Sequence, residues 1–422
     1  MWQQFRLWQH YHLAKLHRWY QNPTQLSLAQ QHKILQLLSY IKRYVPFYQQ
    51  YSGVSFGHLP RIDKTQVQEN FAQFNVLACS LEEVMNSQSL PALQVHQSCG
   101  TTGKPGVYLF SHKEMIVMIA DLLSKLLLPH QWRAQKVAIF YHSKTAYIPN
   151  MALWGWQWCF LDLHQDFALL SKKLQQFSPD VVIAPAQTLV KLAELKTQQK
   201  FKLNVKKIVS TAEVLTPLDE KFIACAFEQN IHQLYQCAEG WLGVTCDHGS
   251  LHLNENLYYI EKDWMDEKNK RFVPVITALH RYVQPIVRYR MEDVMVMKSE
   301  CTCGSPLLAV EKIVGRCEDI LYFNQRSHHP ILKPIFSDEL CRAIEQSKGG
   351  MQKYQIIQLS PMHLEIKIQA AQFEAAARGV EQQLERLWAK HGVKAPCLRV
   401  QRLPEVALDQ MFRRTQRVVG SN

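Results

Sequence analysis

The chain has 422 residues, of which 47% are hydrophobic, and a formal net charge of +12 at pH 7. This length exceeds the size at which single hydrophobic cores stop growing, so we expect a large domain and a small one. The charge favours anionic partners, but the Lys and Arg residues are dispersed without a run of five or six like charges, which excludes a basic tail and argues against direct binding of nucleic acid.

The N-terminal segment, residues 1–20, is polar and aromatic and lacks the apolar core of a secretory signal. Its aromatic residues favour packing against the core, with a helix on a membrane surface as the alternative. The longest apolar stretch, 115–128, is interrupted by Asp121, Ser124 and Lys125 and is too short to span a bilayer. Eleven cysteines without a signal favour a reducing compartment. We therefore predict a cytoplasmic protein with no transmembrane segment.

A loop rich in glycine and hydroxyl groups, SCGTTGKPG, spans residues 98–106. Gly100 and Gly103 allow backbone conformations in which consecutive amides converge on an anion, and Lys104 adds a point charge. The loop is not of the Walker A type, because too few residues separate its glycines and Pro105 follows the lysine. The pattern predicts a phosphate cradle and a polar hairpin turn equally well.

Residues 136–235 alternate short β-rich runs with helical patterns. The strands are predicted at 137–140, 160–163, 181–184, 206–210 and 231–235, and the helices at 147–158, 166–177, 186–195 and 217–229. This alternation predicts a parallel sheet covered by helices, with ligands beyond the carboxyl ends of its strands. The YQCAE segment at 235–239 falls at one of those ends, and residues 258–297 follow as a strand-rich, distorted β region.

After Ile320 the pattern becomes that of a small α+β domain. Strands are predicted at 321–323, 354–359, 363–368 and 398–402, and helices near 337–347 and at 372–391. The turn-rich join at 315–319 is the natural boundary. We therefore predict an α/β protein with a large N-terminal domain, residues 1–315, of mostly parallel sheets covered by helices plus the distorted β region, and a small C-terminal α+β domain, residues 316–422.

Three segments follow the glycine-rich loop in a fixed order: YQCAEG at 235–240, RYRMED at 288–293 and VGRCEDIL at 314–321. Together the four motifs resemble the adenylate-forming, AMP-binding enzyme superfamily. The resemblance is strongest to the phenylacetate–CoA ligase branch and the related synthetases that adenylate a deazaflavin coenzyme. It extends from about Phe5 to Val419 and implies an adenylation core that binds nucleotide and acid, followed by a mobile C-terminal domain.

The resemblance implies that the loop holds the β- and γ-phosphates of ATP, with Lys104 in a catalytic role. Donors that are already arranged around the charge of leaving pyrophosphate lower the barrier. The residues so implied are Ser98, Gly100, Thr101, Thr102, Gly103 and Lys104. Tyr235 matches the aromatic residue near adenine, and Glu239 matches the catalytic carboxylate that holds Mg²⁺, which prefers oxygen ligands. By itself, a glutamate after a strand is more often a helix cap or a solvated charge.

The resemblance also implies that Asp293 accepts hydrogen bonds from both ribose hydroxyls, with assistance from Arg316. From local sequence alone, a salt bridge between Asp293 and Arg288 or Arg290 is equally expected. Glu318 stands at the position of the family hinge residue, usually Asp or Lys, about which the small domain turns between the two half-reactions.

Two positions depart from the family pattern. Ala238 replaces a Thr or Ser whose hydroxyl serves the phosphates or the substrate, so one expected hydrogen bond is missing. Arg414 replaces the catalytic lysine of adenylation and keeps its charge without the compact ammonium. The segment after Asp319 also lacks the glycine usual near the CoA-facing loop, so transfer to CoA is less secure than adenylation.

Cysteine and histidine residues form a C-x5-H and C-x-C set: Cys246, His252, Cys301 and Cys303. Thiolate and imidazole are the ligands that tetrahedral Zn²⁺ prefers, and four protein ligands make a structural site. His248 is a rival for the fourth ligand. The alternative is a mixture of free and buried thiols.

These residues predict a ligase that uses ATP and Mg²⁺ to convert an aromatic or medium-chain carboxylic acid to its adenylate, with loss of pyrophosphate, and then transfers it to CoA or a carrier protein. One alternative is an adenylyltransferase that acts on a phenolic cofactor hydroxyl without forming a thioester. Another is a catalytically impaired, nucleotide-binding homologue. The oligomeric state stays open, a homodimer included.

Overall fold

The structure is a computed structural model that describes residues 2–16, 22–86, 93–98, 105–126, 135–141, 156–326, 331–347, 349–404 and 414–418. Its helices are α1 Trp2–Leu16, α2 Pro23–Tyr44, α3 Pro46–Gln49, α4 Lys64–Glu69, α5 Leu81–Asn86, α6 His112–Leu126, α7 Phe167–Phe177, α8 Ala186–Thr197, α9 Pro217–Phe227, α10 Ser337–Glu345 and α11 Phe373–His391. Short 3-10 turns lie at Phe56–His58, Phe71–Phe74 and Cys317–Asp319.

The first strands of the chain are β1 Leu93–Gln97, β2 Val107–Ser111, β3 Lys136–Tyr141, β4 Gln157–Asp162, β5 Val181–Pro185, β6 Lys207–Thr211, β7 Ile231–Cys237, β8 Gly240–Thr245, β9 Leu251–Leu253 and β10 Tyr258–Asp266. The remaining strands are β11 Arg271–Ala278, β12 Tyr289–Arg290, β13 Asp293–Met297, β14 Ala309–Arg316, β15 Leu321–Asn324, β16 Leu332–Ile335, β17 Met351–Ser360, β18 His363–Ala370, β19 Cys397–Arg402 and β20 Thr415–Arg417.

One large sheet organises most of the chain, in the order β10-β11-β13-β14-β9-β8-β7-β6-β5-β3-β4, with β12 paired to β11. Its β4-β3-β5-β6-β7 half is parallel, and β5 is buried along its whole length, as a strand covered by helices on both faces must be. The predicted βαβ alternation and the predicted fold class are therefore confirmed.

The strand-rich region continues the same sheet with antiparallel pairing from β8 to β10. Register shifts in β7–β8, β10–β11 and β13–β14 distort it. One predicted element needs correction. Of the helix expected at 147–158, residues 147–155 lie outside the described residues, and Gln157 and Trp158 belong to β4.

The C-terminal residues form a separate four-stranded sheet, β19-β18-β17-β20, with α10 and α11. A hydrophobic cluster that lies entirely within residues 321–393 packs between these elements. The two-stranded sheet β15–β16 joins this cluster through Leu321, Phe323 and Ile335. The division into domains at residue 315 agrees with this distribution of buried residues and stays a prediction.

The N-terminal helix α1 packs along α6, and Leu7 contributes to the main hydrophobic cluster. Phe5 and Trp8 lie on its exposed face and stack on each other. None of the described helices is long and apolar enough to cross a membrane.

Candidate active site

The candidate site lies at the carboxyl edge of the parallel strands, where β7 turns back into β8. Cys237 pairs with Gly240 across this turn, so Ala238 and Glu239 occupy its tip. Gly240 has φ of +145°, and a Cβ atom there would collide with the Tyr258 hydroxyl. Only glycine fits this position without strain. The local backbone therefore fixes where Glu239 leaves the sheet.

Glu239 is 8% exposed and accepts two hydrogen bonds on one carboxylate oxygen. The Tyr108 hydroxyl on β2 donates to Oε1 at 2.7 Å, and the Tyr289 hydroxyl on β12 donates to the same atom at 2.8 Å. The two hydroxyls are 2.8 Å apart. Burial, and after it the Glu239 carboxylate, raises the pKa of both tyrosines, so both stay neutral donors.

Asp293 opens β13 and faces Tyr235 at the end of β7. The Tyr235 hydroxyl donates to Asp293 Oδ2 at 2.5 Å. Asp293 pairs in register with Arg316 of β14. Burial raises the pKa of Asp293, and the positive charge of Arg316 acts against this rise. The predicted adenine and ribose residues are thus neighbours, although they lie 58 positions apart in the sequence.

The salt bridge that local sequence offered for Asp293 is not formed. Arg288 is paired with Glu261, and Arg290 is paired with Asp263. Both arginines therefore connect β10 to the residues around β12. The Asp293 carboxylate interacts instead with the Tyr235 hydroxyl and with the charge of Arg316.

The ends of the glycine-rich loop are joined by two hydrogen bonds. The Ser98 amide donates to the Gly106 carbonyl at 2.8 Å, and the Gly106 amide donates to Ser98 Oγ at 2.7 Å. The strands on either side, β1 and β2, form an antiparallel hairpin. The remaining predicted phosphate-binding residues lie outside the described residues: Gly100, Thr101, Thr102, Gly103 and Lys104.

A buried arginine connects this hairpin to the Glu239 turn. Arg281 is 0% exposed and lies over the Phe110 ring at 4.0 Å. Its guanidinium donates to the backbone carbonyls of Glu239, at 3.1 Å, and Leu109, at 2.9 Å. These contacts fix β2, and with it Tyr108, relative to Glu239.

The arginines near the domain join pair with carboxylates. Arg316 Nη1 lies 3.8 Å from Glu292 and 3.7 Å from Glu318, the predicted hinge residue. Arg414, the predicted catalytic cation, lies elsewhere: Nη2 is 2.6 Å from Asp219 Oδ2, and the guanidinium covers the Tyr354 ring. The catalytic role of Arg414 and the hinge role of Glu318 stay predictions.

Sequence reasoning missed Tyr108, Arg281 and Asp219. Tyr108 had a usable signal, because its hydroxyl interrupts the otherwise apolar run of the fully buried strand VYLF directly after the loop. Arg281 and Asp219 carried no such signal, since single charged residues next to a turn or a helix start are common on protein surfaces.

The four predicted zinc ligands lie together between β8, β9 and the loop before β14. The donor atoms of Cys246, His252, Cys301 and Cys303 are all within 4.8 Å of one another. Cys246 Sγ and Cys301 Sγ are 3.7 Å apart, close to the roughly 3.7 Å expected of two sulfurs bound to one tetrahedral Zn²⁺. The rival His248 is exposed and contacts Thr302 instead.

Comparisons with known proteins identify a similar sequence among the CoA ligases. The phenylacetate-coenzyme A ligase of Thermus thermophilus is 23% identical over 347 residues, which are 72% of this chain and 73% of the relative. No protein-family profile matches the chain.

Solved structures share the fold. 2-Hydroxyisobutyryl-CoA ligase in the postadenylation state, in complex with 2-HIB-AMP, superposes with a TM-score of 0.70 at 16% sequence identity. The alignment covers 96% of this chain and 91% of the ligase chain. The same ligase with 2-HIB-AMP and CoA, in the thioesterification state, has a TM-score of 0.55 at 18% identity, with 95% and 91% covered. The chain therefore shares the fold of these ligases and is similar in sequence to a member of the adenylate-forming, AMP-binding superfamily.

These similarities agree with the predicted resemblance and with the predicted enzyme class. In this chain, the motifs at 235–240 and 288–293 meet at one edge of the sheet, and the motif at 314–321 borders them through the pairing of β13 with β14. The individual roles of the motif residues stay predictions.

Proposed function

We propose that this ligase activates an organic carboxylic acid with ATP and then passes the acyl group to a thiol. In the first step a carboxylate oxygen attacks the α-phosphorus of ATP, and pyrophosphate leaves with the electron pair of the broken phosphorus–oxygen bond. In the second step the thiol sulfur attacks the acyl carbon, AMP leaves, and the thiol proton passes to solvent. The observation that carries the proposal is the meeting of Glu239, Tyr235, Asp293 and Arg316 at the carboxyl edge of the parallel strands.

The nucleotide would extend along this edge. In the proposal Tyr235 lies beside adenine, Asp293 accepts from the ribose hydroxyls with assistance from Arg316, and the 98–104 loop surrounds the β- and γ-phosphates. The two hydrogen bonds between Ser98 and Gly106 support a loop with a fixed entrance. A loop held at its base loses less conformational entropy when its amides close on an anion.

The proposal includes Mg²⁺, with Glu239 as its protein ligand. The donor set fits, because Glu239 offers a buried carboxylate whose hydrogen-bond donors are neutral phenols. When bound, the cation would neutralise charge on the phosphates. Glu239 would hold it at the end of the sheet, next to the loop.

We further propose that the acid is aromatic or medium-chain and that the thiol belongs to CoA or to a carrier protein. The similarity to a phenylacetate-coenzyme A ligase and to 2-hydroxyisobutyryl-CoA ligase supports an acid and CoA as the reactants. The net charge of +12 suits an acidic carrier or CoA equally. The ten described cysteines are free thiols, which supports a cytoplasmic location.

ATP–pyrophosphate exchange, measured over a panel of aromatic and aliphatic acids, tests the proposal. We expect exchange that depends on the acid, and a loss of about 100-fold in Glu239→Gln and Asp293→Asn, the size of effect seen when one transition-state contact is removed. Glu365→Gln, at a half-buried position of the C-terminal sheet, is the matched control. ATP binding without acid-dependent exchange would favour the impaired homologue.

The acceptor is tested separately through AMP release. We expect release that depends on CoA or on a phosphopantetheine carrier once an acid has been found. Adenylation of a phenolic hydroxyl, with no thiol-dependent release of AMP, would favour the adenylyltransferase alternative.

We also propose that Cys246, His252, Cys301 and Cys303 hold a structural Zn²⁺. His252 Nδ1 lies 2.9 Å from the Leu307 carbonyl, while Nε2 faces Cys303 Sγ at 3.4 Å. Zinc-bound histidines commonly use their second ring nitrogen in this way. Four protein ligands leave no open position, so the ion would join β8, β9 and the 301–303 loop rather than act on substrate.

Metal analysis of the purified protein tests this site. We expect one Zn²⁺ per chain in the wild type and its loss in Cys301→Ser and Cys303→Ser. Cys225→Ser, which changes an exposed thiol on α9, should keep the metal. Stoichiometric zinc in both ligand variants would refute the site.

A further inference from the structure

The oxygens of Tyr108, Tyr289 and Glu239 form a closed triangle next to the proposed cation site. The two hydroxyls lie 2.7 and 2.8 Å from Oε1 and 2.8 Å from each other. Both phenols face the same carboxylate oxygen, and neither donates to Oε2. The Cys237 thiol also lies beside this carboxylate, whose charge, after burial, raises the thiol pKa.

Both tyrosines are held rigidly. Tyr108 is 0% exposed on β2, and Tyr289 is 1% exposed on β12. Tyr289 is fixed on two sides, because β12 pairs with β11 while the Ile62 backbone bonds to Arg288 and Arg290. Side chains that have already lost their rotamer freedom can orient a carboxylate with little further entropy cost.

The donors to Glu239 are neutral. The guanidinium of Arg281, a buried cation next to the Glu239 turn, donates to the backbone carbonyls of Glu239 and Leu109. A guanidinium paired with the carboxylate would cancel its charge and occupy its oxygens, whereas phenols leave the negative charge in place. A carboxylate held in this way is suited to a hard divalent cation.

We infer that Tyr108 and Tyr289 are positioning residues for Glu239: they engage Oε1 and present the other oxygen to the divalent cation that accompanies ATP. The inference rests on the proposed function, because it assigns the cation to Glu239. Tyr108 also supplies a hydroxyl to a site in which Ala238 has none.

Direct measurement of cation binding separates positioning from mere packing. The probe is Mn²⁺, followed by the electron paramagnetic resonance of the free ion, with α,β-methylene-ATP present so that no turnover occurs. The variants are Tyr108→Phe, Tyr289→Phe and Glu239→Gln. Tyr48→Phe is the matched control, since Tyr48 is equally buried and its hydroxyl faces the Val287 carbonyl.

We expect Tyr108→Phe and Tyr289→Phe each to weaken Mn²⁺ binding by about 10-fold, with Tyr48→Phe unchanged. Each tyrosine variant keeps its aromatic ring, and its Mn²⁺ binding is compared with the control separately. The test can therefore be carried out even if only one of the two variants folds. If both bind Mn²⁺ like Tyr48→Phe while Glu239→Gln binds it weakly, the positioning role is overturned and the cation site stands. If Glu239→Gln binds Mn²⁺ like the wild type, the assignment of the cation to Glu239 fails and the inference fails with it.

Discussion

The guanidinium of Arg414, the predicted catalytic cation, forms an ion pair with Asp219. Asp219 is 5% exposed in the first turn of α9 and also accepts from its cap residue, Thr216. Nη1 of Arg414 is buried and has no hydrogen-bond partner among the described residues. A catalytic role would therefore require Arg414 to exchange Asp219 for a phosphate oxygen.

Arg414→Ala should lower the rate of ATP–pyrophosphate exchange by about 100-fold and change the affinity for ATP little, because a charge that acts mainly in the transition state affects rate more than binding. Arg417→Ala, in the strand β20 that directly follows Arg414 and stacked on Tyr322, is the control. Equal losses in the two variants would show that Arg414 contributes only to packing.

His280 should make the fold sensitive to acid. Burial, followed by the charge of Arg281, lowers the His280 pKa from 6.5 to about 3. The unfolded chain therefore binds this proton more readily than the folded one, and stability is lost as the pH falls below 6.5. The loss is about 1.4 kcal/mol for each pH unit between the two values.

Chemical denaturation at several pH values between 6.5 and 4 measures this effect. His280→Gln should unfold with a smaller dependence on pH than the wild type over this range. The same pH dependence in both proteins would contradict the role of His280.

Helix α6 contains a buried ion pair that fixes it to the large sheet. Lys125 Nζ lies 2.9 Å from Asp121 Oδ2 one turn earlier and 2.8 Å from Asn254 Oδ1. The lysine also lies over the Trp241 ring. The charged groups that break this apolar stretch of sequence are therefore internal contacts of a helix–sheet interface.

Lys125→Met should destabilise the protein by about 3–5 kcal/mol, because it leaves Asp121 as an uncompensated buried charge. The double variant Lys125→Met with Asp121→Asn removes both charges and should recover more than half of this loss. Urea denaturation measures both, and additive losses in the double variant would show that the two residues do not act as a pair.

At the scale of the whole molecule, a second charged cluster joins the C-terminal residues to the large sheet. Asp338 of α10 accepts from Arg271 of β11 at 3.0 Å on both oxygens and from Lys312 of β14 at 2.6 Å. With Arg414 and Asp219, this cluster holds the C-terminal sheet in its present arrangement.

Asp338→Asn should weaken the contact between the two parts, since it removes the carboxylate charge that faces Arg271 Nη2 at a buried position. We expect calorimetry to show earlier melting of the C-terminal part, separated from that of the large sheet. Glu365→Gln, which removes an ion pair within the C-terminal sheet, should leave a single transition. One unchanged transition in Asp338→Asn would argue that the cluster does not hold the parts together.

The sequence predicted the parallel strands and the C-terminal elements well, because each depends on a local period of apolar residues. Through motif order alone, it also assigned Tyr235 and Asp293 to one nucleotide site, and the two side chains are hydrogen-bonded to each other. It left open whether Asp293 pairs with Arg288 or Arg290, since that choice depends on β10, which supplies Glu261 and Asp263 as competing partners.

By itself, the sequence determined the alternation of strands and helices, the order of the motifs and the set of zinc-type ligands. These are properties of short segments, and short segments carry their own periodicity and chemistry. Only the tertiary structure decided the surroundings of Glu239, because Tyr108 lies 131 positions from it and Tyr289 lies 50 positions away. It likewise decided the partner of Arg414, which is 195 positions distant. Side-chain contacts over such separations arise from how sheets and helices pack against one another, and no local pattern encodes that packing.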